Sequence, residues 1–137
     1  MKNKEVTIND VTEMEGYVSP ENAQLLKEKG FNELCLARYI YGIFVPCDSQ
    51  MRMFYHRNES MSEKECTCPT IQMVLKWLRE MHDICISVDV KIGGKKYYVC
   101  ISSVKCGLSY GVLEDEVWDT FEEACEESIK YCLENLL

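Results

Sequence analysis

The chain contains no apolar run approaching the ~20 residues that a membrane helix needs. Its first residues, Met1-Lys2-Asn3-Lys4-Glu5, lack the apolar stretch of a secretory signal. Both absences point to the cytoplasm. The common catalytic and ligand signatures are missing as well: no phosphate-binding glycine loop, no G-x-S-x-G, no H-E-x-x-H and no calcium loop. Gly93-Gly94 lies between two strand-like stretches and reads as a turn.

What the chain has in quantity is cysteine, nine in 137 residues. An odd number, no export signal and a length that needs no staples favour reduced thiols over a disulfide scaffold. Most are then small buried hydrophobes. The composition, 47% hydrophobic and 28% charged, is that of a folded domain rather than a disordered chain. The net charge of −8 is unevenly spread. Nine acidic residues stand against one lysine from Glu114 to Leu137, whereas Lys76 to Lys105 holds six basic and three acidic residues. An acidic surface repels a phosphate backbone, so the balance argues against nucleic acid as a partner.

Along the chain, residues 1–18 alternate weakly at Val6 and Ile8 and are expected to form an arm or edge strand, with 19–137 one α+β domain. Ser19-Pro20-Glu21 opens a short helix that Gly30 ends. Cys35–Val45 has strand composition. Two turns suit it: a tight one at Tyr41-Gly42, or a longer strand running to Pro46-Cys47-Asp48-Ser49 and returning through Met51–His56. Residues 57–68 read as a loop.

Thr70 caps a second helix with Ile71, Val74, Leu75, Leu78 and His82 on one stripe. After Asp83 the period changes to two. Ile84, Ile86, Val88, Val90 and Ile92 alternate with polar residues up to Gly93-Gly94, a two-residue hairpin turn. Pairing Ile92 with Lys95 then sets Val90 against Tyr97, Val88 against Val99 and Ile86 against Ile101, with Asp89 opposite Tyr98 and Ser87 opposite Cys100. A slip of one residue would turn one apolar set outward. Thr120-Phe121-Glu122-Glu123 is a capping box. It opens a last helix whose stripe is Phe121, Ala124, Cys125, Ser128, Cys132 and Leu136. The expected order is α-β-β-α-β-β-α, an antiparallel sheet with helices on one face. It resembles a helix–hairpin unit written twice, from Ser19-Pro20 and from Cys68-Pro69-Thr70.

Candidate sites are few. Cys66-Thr67-Cys68 is the one close cysteine pair, and with Cys47 and His56 it supplies four potential ligands for a tetrahedral zinc. Structural zinc sites space paired cysteines by two or more residues, so the spacing favours two plain cysteines. His82, at a helix end, is better explained by capping or packing than by catalysis. Cys125 and Cys132 lie on a buried stripe beside acidic residues, the opposite of what an activated thiol requires. A basic-aromatic patch of Lys91, Lys95, Lys96 and Tyr98, with Trp77, invites base stacking. The register leaves Tyr98 outside but turns Tyr97 to the core.

Pro69-Thr70, Lys76-Trp77-Leu78-Arg79-Glu80, His82 and the alternating Ile84/Ile86/Val88 resemble a group of small proteins of gut anaerobic bacteria and their phages. Leu25-Leu26-Lys27-Glu28-Lys29-Gly30-Phe31 and Thr120-Phe121-Glu122-Glu123-Ala124 belong to the same likeness, which spans about residues 19–137. The group carries no assigned activity and brings no catalytic residues. What the resemblance implies is an accessory role on a mobile element.

The leading expectation is a non-catalytic interaction or regulatory module with a protein partner, a second copy included, and no cofactor. A nucleic-acid-binding hairpin and a Cys/His metal protein are the alternatives. An enzyme whose site is assembled from distant residues leaves no trace at this level.

Overall fold

The computed structural model describes residues 16–46, 55–110 and 116–137. Helices and antiparallel strands follow the expected order with one strand added. The elements are α1 (Pro20–Glu28), β1 (Ala37–Ile40), β2 (Ile43–Val45), β3 (Glu65–Cys68), α2 (Ile71–His82), β4 (Ile84–Val90), β5 (Tyr97–Ser103) and α3 (Phe121–Asn135). After Thr70 the chain divides into two compact units.

In the first unit, Ser19 caps α1 by accepting the Asn22 amide at 3.2 Å, and Pro20 starts the helix. The helix ends where Gly30 takes φ 89° and the Phe31 amide donates back to the Leu26 carbonyl at 2.9 Å. Of the two turns the sequence allows, the tight one forms. Tyr41 (φ 51°) and Gly42 (φ 76°) are both left-handed, and Ile40 faces Ile43 across the turn. The three strands run β2-β1-β3, all antiparallel. Val18, Ala23, Leu26, Phe31, Cys35, Ala37 and Tyr39 make the core, and the buried Tyr39 hydroxyl donates to the Val18 carbonyl at 2.6 Å.

The loop expected over 57–68 is corrected in its second half. Glu65–Cys68 is a strand on β1, with Tyr39 facing Cys66 and Ala37 facing Cys68. It escapes the alternation rule because Cys66, Thr67 and Cys68 are all buried, so no polar face marks it. Asn58, in a short turn of 3₁₀ helix, holds it in place. Its carboxamide donates to the Phe31 carbonyl at 2.7 Å and accepts the Thr67 amide at 2.9 Å.

In the second unit, α2 buries Ile71, Val74, Leu75 and Leu78, as its period predicts, and Trp77 beside them. A fully buried side chain of this size contributes about 1.5–3 kcal/mol. Asp83, at φ 57°, makes the sharp exit into β4. The hairpin register matches the expected one at every pair from Ile86–Ile101 to Val90–Tyr97. The turn does not. Lys91 donates to the Lys96 carbonyl at 2.8 Å and Gly94 to the Lys91 carbonyl at 2.9 Å, so Ile92–Lys95 form a four-residue loop. Ile92 is fully exposed and half of Val90 is in solvent. The hairpin tip offers them no apolar surface, so nothing rewards the tighter closure. Helix α3 is capped by Thr120, whose hydroxyl accepts the Glu123 amide at 3.1 Å. It buries Ala124, Cys125, Ser128, Ile129, Cys132 and Leu133. Ile129 and Leu133 widen the expected stripe, and Phe121 at its start is only half-buried. The sheet is therefore not continuous: three strands lie in one unit and two in the other.

Candidate functional site

The hairpin of the second unit holds the features that packing does not explain. Because Lys91 and Lys96 form a bonded pair, alternation makes Asp89, Ser87 and Cys85 the residues whose peptide groups bond β5. Ile84, Ile86, Val88 and Val90 then direct their N–H and C=O groups away from the hairpin. On β5 the residues facing outward are Tyr97, Val99, Ile101 and Ser103, and the chain itself fills that side. Tyr97 and Trp118 exchange two backbone bonds (2.9 and 3.0 Å), Tyr110 donates to the Ile101 carbonyl at 2.8 Å, and Ser103 donates to the Leu108 carbonyl at 2.8 Å. Among the described residues no strand or loop does the same for β4.

The tip carries Lys91, Lys95 and Lys96, all exposed, with Tyr98 half-buried opposite Asp89. Lys96 is committed to an ion pair with Asp119. The proposed basic patch is thus two lysines and one partly covered ring, with a carboxylate beside it. Trp77 does not join it. The indole is buried in α2, its ring centroid 4.5 Å from that of His82 in an edge-on contact. Burial pulls the His82 pKa below its ordinary value, which favours a packed ring over the charged cap considered from sequence. Periodicity placed Trp77 off the stripe; an indole is wide enough to reach the core from there.

Of the four metal candidates, Cys47 lies outside the described residues. Cys66 and Cys68 sit on β3 in the first unit, and His56 is bonded through its backbone to Cys35 (2.7 and 2.9 Å). No three His, Cys, Asp or Glu side chains among the described residues group so as to hold an ion. Burial pushes the Cys66 thiol up, against the pull of Lys27, which opposes ligation by thiolate. Cys68 donates weakly to the Val18 carbonyl, with its sulfur 3.6 Å from the oxygen. His56 is held below its ordinary pKa by burial and by Arg38.

At the base of the hairpin Asp83 accepts from the Ser103 hydroxyl at 2.5 Å and from the Lys105 amide at 2.9 Å. These contacts draw its carboxyl below the usual range, the Ser103 bond most of all. The same serine, with the Leu108 amide, lowers the exposed Cys106 thiol. Cys35, by contrast, is pushed up to about 11 by burial, and Cys125 and Cys132 to about 12. Beyond α3 a shallow hollow of about 200 Å³ is lined by Trp118, Tyr131, Glu116, Glu127, Glu134, Lys130 and Asn135. No helix of the described residues is long and apolar enough to cross a membrane.

No family model, no curated protein and no solved structure matches the chain. Among the described residues, the outward rim of β4 is a row of backbone groups that no other strand or loop pairs. It was illegible in sequence, because alternation reveals which face of a strand is buried and nothing about which edge is paired.

Proposed function

We propose that this chain is a non-catalytic interaction module of the cytoplasm that recruits a protein partner by adding an extended segment to β4. The observation that carries the reading is the row of outward peptide groups at Ile84, Ile86, Val88 and Val90. A strand edge of this length that no other described residue pairs is a template for another strand, and backbone bonds supply the affinity in such complexes. The eight described cysteines are free thiols, five of them buried, which is the usage of a reducing compartment. An accessory role on a mobile element, implied by the resemblance, suits a module of this kind. Binding of nucleic acid at the tip is the weaker reading, since Lys96 is already paired and Asp89 stands beside Tyr98.

The test is a substitution that alters only the edge. Val88→Pro removes one outward N–H and no ladder bond, which an edge strand tolerates. Proteins retained by the wild-type chain should be lost with Val88→Pro while the far-ultraviolet circular dichroism stays the same. Equal retention by both chains would refute the reading. Titration with a single-stranded oligonucleotide at ~50 mM salt, where phosphate contacts are strongest, should give no binding.

A further inference from the structure

Strand β4 is nearly self-complementary. Read outward from Ser87 in both directions, the sequence from Asp83 to Lys91 is Ile86/Val88, Cys85/Asp89, Ile84/Val90 and Asp83/Lys91. An antiparallel strand related by a two-fold axis at Ser87 therefore meets β-branched residues at each outward-facing position and an opposite charge at each end. We propose that the partner of the β4 edge is a second copy of this chain, giving a four-stranded β5-β4-β4-β5 sheet across the two-fold. This rests on the reading of the β4 edge as a docking site.

The peptide geometry fits this register. Ile84, Ile86, Val88 and Val90 are the residues that face outward, and about Ser87 they pair only with one another. Each bonded pair exchanges two backbone bonds, so none of the four outward groups is stranded. On the helix-facing side, the exposed Val90 comes to lie opposite the second copy's Ile84 and the half-buried Val88 opposite its buried Ile86. Exposed apolar surface that the monomer does not explain is thereby covered. On the other face Ser87 meets its own copy and Asp89 meets Cys85, so no like charges stand directly opposed. At the two ends Lys91, an exposed lysine, faces Asp83, whose carboxyl is held in place by Ser103 and by the Lys105 amide. These two symmetric pairs set the register against a slip toward Val88 or Ile86, which would leave both charges without their complements.

The experiment is sedimentation of the full chain from ~1 μM to ~1 mM, which spans tight to marginal association, together with hydrogen exchange at the four outward amides. A dimer is expected in the wild type and a monomer in Val88→Pro. Lys91→Glu, which sets like charges opposite Asp83 in both pairs, should weaken the dimer roughly tenfold, as two cross-strand charge pairs of ordinary strength would. Amides of Ile84, Ile86, Val88 and Val90 should gain protection as concentration rises. A wild type that stays monomeric with these amides exchanging freely would overturn self-pairing and leave the docking edge standing. Protection at every dilution in a monomer would overturn both, because the chain would then cover its own edge. A dimer indifferent to both substitutions would place the interface elsewhere and overturn self-pairing.

Discussion

The two units treat the edges of their sheets differently. In the first, the outer edge of β3 is closed by side chains. Asn58 accepts the Thr67 amide, and the Lys27 ammonium donates to the carbonyls of Ser62 (2.6 Å) and Glu65 (2.7 Å). Its other edge strand, β2, is only three residues long. Short strands and lysines placed on an edge are ordinary ways of preventing unwanted pairing. In the second unit β5 is closed by the chain's own Trp118 and its Leu108–Tyr110 segment, whereas the seven-residue β4 has neither kind of cover among the described residues. The contrast within one chain teaches that, among the described residues, the means of blocking an edge are present at β3 and β5 and are not applied at β4.

The comparison breaks most severely if Asn58 is removed. Asn58→Ala strands two buried backbone groups, the Thr67 N–H and the Phe31 C=O, and should cost about 3 kcal/mol of stability, measured by urea denaturation. Asn58→Asp keeps the acceptor for Thr67 and loses the donor to Phe31, so it should fall between the two. If Asn58→Ala is neutral, the first unit does not depend on a side-chain block.

The next effect sharpens the distinction between the two sides of β4. Ser87 bonds toward β5 and Val88 faces away, so proline should be far worse at 87. Ser87→Pro is expected to be about 2 kcal/mol less stable than Val88→Pro, the loss of a ladder bond with its partner left unmatched. Equal stabilities would mean that the inward and outward residues have been exchanged.

The thiols offer a smaller, kinetic contrast. In the first unit the described cysteines Cys35, Cys66 and Cys68 are buried; in the second, Cys100 and Cys106 are exposed and Cys85 half-exposed. Alkylation at pH 7 followed by mass mapping should modify Cys106 first among the described cysteines, since it is exposed and its thiol is drawn below the ordinary value, and the exposed Cys100 next. Cys35, Cys66, Cys68, Cys125 and Cys132 should react only on unfolding. Early labelling of any of these five would place a local opening in its unit.

The smallest effect is on pH dependence, and it falls on both units. His56 and His82 have folded pKa values below 6.5, with burial the first cause in each and Arg38 adding to it at His56. The unfolded chain therefore binds more protons as pH falls through 6.5, and stability should decline below that pH, not above it. His82→Gln should flatten part of the decline, and His56→Gln another part. A melting temperature unchanged between pH 7 and pH 5 would contradict both assignments.

Much of this fold was legible because it is written in local chemistry. Ser19-Pro20 and Thr120 form the helix starts they signal, and Ile86–Val90 against Tyr97–Ile101 yields the observed register because a shift of one would bury polar side chains. The choice of the Tyr41-Gly42 turn was not legible, since both candidate turns satisfy local rules and only the pairing of β1 with β2 decides between them. Strand β3 was hidden for a related reason: a strand buried on both faces shows no alternation, and four residues are too short a run to read as a strand without it. Trp77 was misplaced because a helical wheel assigns directions to Cα–Cβ bonds and not the reach of an indole.

The candidate site divides in the same way. The sequence by itself determined the two helical stripes, the register of the hairpin and the charges at its tip, all of which follow from side-chain period and short-range capping. Only the tertiary structure decided that Lys96 is spent on Asp119, that Trp118 and Tyr110 close β5, and that no other described residue pairs with the outer edge of β4. Edge pairing is a contact between segments distant in sequence, made by backbone groups that every residue except proline shares, so no residue type records it.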